Sequence, residues 1–85
     1  MTLRRALSTG EVADLMNAVL RSEVYSPGLI RAEIDAGRIR AVHVGAGRRY
    51  RRRVRVTEED FLQWAAAVLR ADEVQALRAS LAQAS

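Results

Sequence analysis

Between Arg38 and Val56 the chain carries eight arginines and not one aspartate or glutamate, a local charge of +8. The remaining residues hold six arginines against ten carboxylates, or −4, and the two parts sum to the net +4 of the whole chain. A run of like charge this dense ordinarily repels itself into disorder. Here it is interleaved with Ile39, Val42, Val44, Tyr50, Val54 and Val56, apolar residues of the kind that form strands. The segment is therefore expected to fold, and a folded element that concentrates positive charge is suited to meet phosphate.

Chain length bounds what else can be present. Eighty-five residues bury only about 60–65% of their unfolded surface, enough for one modest core and no separate catalytic domain. Cysteine is absent, so neither a disulfide framework nor a thiolate metal site is available. Met1-Thr2-Leu3-Arg4-Arg5 has no apolar run behind its two charges and does not read as a signal peptide. The longest apolar run, Trp64 to Leu69, is far short of a membrane span. A soluble, cytoplasmic protein is expected.

Helix signals frame the basic segment. Ser8 is placed to cap the amide of Glu11 while Glu11 reaches back to Ser8, and Leu7 is placed to staple onto Val12. Val12, Leu15 and Met16 then give an apolar stripe at helical spacing. Residues 17–24 are open between a continued helix and an irregular connection. Ser26-Pro27 starts a second, short helix, since proline at the first helical position lacks only an amide proton that would have had no partner. Ile30 and Ile34 mark its buried face, and Gly37 supplies the left-handed residue that ends it.

From Ile39 the pattern changes to strands, Ile39 to Val44 and Arg49 to Val56, joined at Gly45-Ala46-Gly47 in a hairpin. In the second run Tyr50, Arg52, Val54 and Val56 share one face, while Arg49, Arg51, Arg53 and Arg55 line the other. Thr57 caps a further helix with Glu58, Glu59 and Asp60 in its dipole-favoured first turn and Phe61, Trp64, Ala65 and Val68 on its inner stripe. Val74, Leu77 and Leu81 extend an apolar face nearly to the end of the chain. Asp72 either caps a separate segment or lies on the surface of one long helix.

The order of these parts, with Ser8-Thr9-Gly10-Glu11-Val12-Ala13-Asp14-Leu15-Met16, Ser26 through Gly37 with Ile39, Val42-His43-Val44-Gly45, Arg48-Arg49-Tyr50 and Val56-Thr57-Glu58-Glu59-Asp60-Phe61, resembles the excisionase-like, MerR-type winged helix-turn-helix family. The resemblance spans roughly residues 7 to 66. It implies a mainly α fold with a small β-hairpin: a winged helix-turn-helix over residues 1–70, followed by a C-terminal helical extension over 71–85. It further implies binding to double-stranded DNA. Pro27, Gly28, Arg31, Ala32 and Asp35 would face the major groove, and the wing arginines Arg48, Arg49, Arg51 and Arg53 would meet the backbone or minor groove. Two features depart from the family pattern: the connection from Met16 to Ser26 is several residues longer than usual, and Arg31 is the only basic side chain on the second helix.

Each site residue has a plainer reading beside the functional one. Arg31 either donates to a guanine edge or pairs with Asp35 along the helix. Gly28 either admits a phosphate to the helix N-terminus or serves the turn. The wing arginines are either phosphate ligands or a solvated charged face. Tyr50 is expected to pack beneath the wing, and Trp64 to lie in the core. His43, the sole histidine, makes no metal site without further ligands. One histidine and no cysteine likewise offer no nucleophile with its base, so no enzyme activity and no cofactor are expected.

The leading expectation is a phage-type excisionase, a recombination directionality factor acting by architectural DNA binding, with an integrase as a candidate partner. A small transcriptional regulator of the MerR-like type is the alternative within the same class. Outside it stand an interaction or assembly module, such as a phage packaging DNA-recognition subunit, and an RNA-binding hairpin. The Val74, Leu77 and Leu81 stripe either covers the domain's own open face or pairs with a second copy, and the expectation leans to self-association.

Overall fold

A computed structural model describes residues 6–44 and 53–84. Along the chain lie β1 (Ala6–Leu7), α1 (Thr9–Leu20), α2 (Pro27–Asp35), β2 (Val42–Val44), β3 (Arg53–Thr57), α3 (Glu58–Val68) and α4 (Ala71–Ala84). The molecule is mainly helical, with one small antiparallel sheet in the order β1-β3-β2. Leu7 pairs with Val56 on one side of β3, and His43 pairs with Val54 on the other.

The local signals act where they stand in the sequence. Ser8 and Glu11 close a reciprocal capping box, with the Glu11 amide donating to Ser8 Oγ at 3.1 Å and the Ser8 amide donating to Glu11 Oε1 at 3.0 Å. Leu7 and Val12 on either side of it both enter the core. The amide of Leu29 donates to Ser26 Oγ at 3.2 Å, with Pro27 at the first helical position of α2. Gly37 adopts φ 81°; around it the amides of Arg38 and Gly37 donate to the carbonyls of Glu33 and Ile34, both at 3.0 Å. Those two bonds form the Schellman pattern that closes a helix over a left-handed glycine. Thr57 Oγ1 accepts from the Asp60 amide at 3.1 Å and starts α3.

The long connection after α1 is irregular but held. Arg21 takes a left-handed conformation (φ 53°), and its amide donates back to the Asn17 carbonyl. The Asn17 side chain then spans the loop, its amide donating to the Tyr25 carbonyl at 2.8 Å and its oxygen accepting from the Tyr25 amide at 2.9 Å. One side chain thus replaces the strand-like partner that Tyr25 would otherwise lack. Tyr25 sets its ring edge-on to Trp64, with centroids 5.7 Å apart. The loop is thereby tied to α3, and α2 leaves it in a defined direction.

Leu7, Val12, Met16, Ile30, Ile39, Val56, Phe61 and Leu77 are fully buried and form one core with Ile34, Val54, Trp64 and Leu81. Each such large apolar side chain contributes roughly 1.5–3 kcal/mol when removed from water. Two expectations need correction. The strand expected from Ile39 begins only at Val42, as β2; Ile39 lies in the core after the turn that closes α2. Val68, expected on the inner stripe of α3, is 48% exposed, because the helix ends there and Leu69 turns inward instead. In the tail, of the two readings left open the separate segment holds, with α4 following a break at Leu69 and Arg70. The Arg70 amide donates to Glu73 Oε1 at 2.9 Å and starts it, while Asp72 stays on the surface.

Leu77 and Leu81 of α4, at 0% and 3% exposure, lie inside the same core as α1 and α3. This overturns the leaning to self-association through Val74, Leu77 and Leu81. The two leucines have no surface left to offer another copy, and Val74 is itself half-buried. The C-terminal helix therefore packs into the one core through Leu77 and Leu81.

Candidate nucleic-acid interface

The outward surface of α2 follows from which of its residues are inside. With Ile30 and Ile34 turned into the core, Pro27, Gly28, Ala32 and Asp35 are exposed and Arg31 lies at the margin of the exposed face. These are the residues expected to face a groove, and the fold brings them together on one side of a short helix. A Cβ added at Gly28 would meet only Ser26 Oγ, at 3.8 Å, so packing alone does not demand glycine there. Leu29, half exposed on the same helix, was not singled out by sequence reading; its position in the first turn, one residue before the buried Ile30, was the available signal.

Arginines divide according to the carboxylates near them. Arg38 is committed: its Nη2 and Nε both donate to Glu33 Oε2, at 2.6 and 2.8 Å. Those bonds, and then the guanidinium charge, hold the Glu33 carboxyl below the ordinary carboxylate value against a partial opposing effect of burial, and they raise Arg38 in turn. The indole N–H of Trp64 adds a smaller pull on the same carboxyl, although Trp64 Nε1 is buried and reaches hydrogen-bond geometry with no partner. Arg70 pairs at 3.7 Å with both Asp72 and Glu73.

Arg31 stands between these cases, its Nε lying 3.9 Å from Asp35 Oδ1 with no hydrogen bond between them. Arg40 and Arg55 make no ion pair among the described residues. Both fall inside the basic segment. Arg55 sits on β3 between the buried Val54 and Val56 and opposite the exposed Val42, which places it on the outer face of the sheet. The alternation along this strand, read from Val54 and Val56, was the signal for Arg55. Nothing in the pattern marked Arg40.

Of the other expected site residues, Arg53 is placed by its backbone, which opens β3 and pairs with Val44. Arg48, Arg49 and Arg51, together with Tyr50 and the Gly45-Ala46-Gly47 turn, lie outside the described residues. An open cleft of about 420 Å³ separates the 37–40 segment from α3, lined by Gly37, Arg38, Arg40, Gln63, Trp64 and Val68 among others. Among the described residues no group of three His, Cys, Asp or Glu is arranged to hold a metal ion, and no helix is long and apolar enough to cross a membrane. Comparison with family models, with curated proteins and with solved structures finds no match to this chain.

Proposed function

We propose that the chain is a double-stranded DNA-binding module of winged helix-turn-helix type, working as a binding protein and not as an enzyme, in the cytoplasm. In this reading α2 enters the major groove with Arg31 as its basic reader. The arms of the hairpin, and the arginine-rich segment that joins them, lie along the backbone or minor groove. The observation that carries it is the +8 segment of residues 38–56, two parts of which form a paired ribbon immediately after a capped helix with an uncovered outer face. Phosphate is the common anion that meets such a density of guanidinium, and backbone contacts of this kind position a protein without choosing sequence.

Within that class, an architectural factor of the excisionase type suits the composition better than a regulator relying on base contacts. The long basic segment and a helix with one arginine favour shape readout and bending over a rich set of hydrogen bonds to base edges. Fluorescence anisotropy tests the core of the proposal. The protein should bind a labelled duplex, bind it less tightly as salt rises, and prefer it to single-stranded RNA and to an acidic polypeptide of equal charge. Equal binding to all three polyanions would leave only a nonspecific basic surface.

A further inference from the structure

We infer that Arg31 and Asp35 together read one G·C base pair, Arg31 donating to the guanine and Asp35 accepting from the amino group of the cytosine. This rests on the double-stranded DNA reading above and deepens it. The point of departure is a contrast between two acid–arginine pairs on and beside α2. Glu33 and Arg38 are joined by two short hydrogen bonds and close the helix end. Arg31 and Asp35, four residues apart, approach only to 3.9 Å and leave their side chains 41% and 66% exposed. An exposed pair this loose adds little to the helix.

Asp35 is also placed where a carboxylate is unwelcome. It is the last residue of α2, where the negative end of the helix dipole opposes it. It lies three residues before the start of the segment with eight arginines, where a negative charge opposes any approach to phosphate. Neither helix stability nor general affinity accounts for it. Base recognition does. Guanine presents O6 and N7 to an arginine fork, and cytosine presents its N4 amino group to a carboxylate, both in the major groove. A G·C pair therefore offers one acceptor edge and one donor, the complement of what Arg31 and Asp35 offer. Ala32 lies beside them on the exposed side and adds no bulk that would hold them off the base edges.

Asp35 also contributes by repulsion. Facing thymine O4, adenine N7 or a phosphate, its carboxylate meets an acceptor and is repelled, so wrong sequences are penalised as well as the right one being held. The helix then supplies sequence choice while the basic segment supplies affinity.

The test begins with the whole chain and a pool of random duplexes, from which preferred sites are selected. The preferred duplex is then rebuilt with 7-deaza-dG, which lacks N7, or with N4-methyl-dC, which blocks the major-groove amino hydrogen, at each G·C pair in turn. At one pair both changes should weaken binding roughly tenfold, the scale of one good base contact. Arg31→Ala should abolish the response to 7-deaza-dG. Asp35→Ala should abolish the response to N4-methyl-dC and tighten binding to unrelated duplexes. Both side chains are at or near the surface, and circular dichroism confirms that the variants fold. A preferred site indifferent to both modified bases, or variants that keep the wild-type responses, would overturn the inference while leaving DNA binding intact. Failure to retain any duplex would instead bring down the DNA reading itself.

Discussion

Asn17 does more for this fold than its residue type announces. Its backbone carbonyl accepts from Arg21 and Ser22 while its side chain spans to both backbone groups of Tyr25. The loop joins α1 to α2 without regular structure, and this one side chain fixes where it ends. Replacing Asn17 by Ala leaves the amide and carbonyl of half-buried Tyr25 without partners, which costs roughly 1–3 kcal/mol. Asn17→Asp should lose the donor half of the bridge and fall between the two. Urea unfolding of the three proteins, with tryptophan fluorescence reporting on the Trp64 that Tyr25 touches, measures the ranking; an Asn17→Ala protein as stable as the parent would remove the bridge from the account.

At the level of elements, caps and glycines were legible because they act locally: Ser8, Ser26, Gly37 and Thr57 each work through backbone groups within a few residues. The break before α4 stayed open between a separate segment and one long helix, since residues 57–85 contain neither glycine nor proline to decide it. Its cause is tertiary: the chain bends so that Leu69, Leu77 and Leu81 all reach one core. The self-association leaning failed for the same reason, because an apolar stripe looks alike whether it covers its own chain or another. Leu77→Ala should therefore lower stability by about 2–5 kcal/mol, independently of protein concentration. Val68→Ala, on the exposed end of α3, should change it by less than about 0.5 kcal/mol.

The closure of α2 supplies a pH-dependent term. Glu33 has its carboxyl lowered from 4.5 by the bonds from Arg38. Stabilisation from a lowered acid is complete above its unfolded value, near 4.5, and is lost as pH falls through the folded one. Thermal melts between pH 7 and pH 3 should show a stability loss below about 4.5 that Glu33→Gln makes shallower. An unchanged acid limb in that variant would assign the loss to other carboxylates.

Seen as one molecule, the chain separates its charge: +8 within residues 38–56 and −4 over everything else. All ten carboxylates lie in the described segments, and among the described residues Asp35, Glu33, Asp72 and Glu73 pair with Arg31, Arg38 and Arg70. Arg40 and Arg55 make no such pair among the described residues, and no carboxylate occurs in the sequence between Arg48 and Arg53 to neutralise that run. A separation of this kind orients the protein towards a polyanion, since the remaining surface is repelled by the phosphates that attract the basic segment. If about four of the eight arginines neutralise phosphates, log affinity for duplex DNA should fall against log salt with a slope of roughly −4. Replacing Arg49, Arg51 and Arg53 by alanine should flatten that slope by about 3 and weaken preferred and unrelated duplexes alike, because phosphate contacts carry no sequence information. Anisotropy titrations over a range of salt concentrations measure both quantities. A triple variant that kept the parent slope would move the contact from these three arginines to Arg40, Arg55 and their neighbours, whereas a parent slope near zero would remove phosphate as the partner altogether.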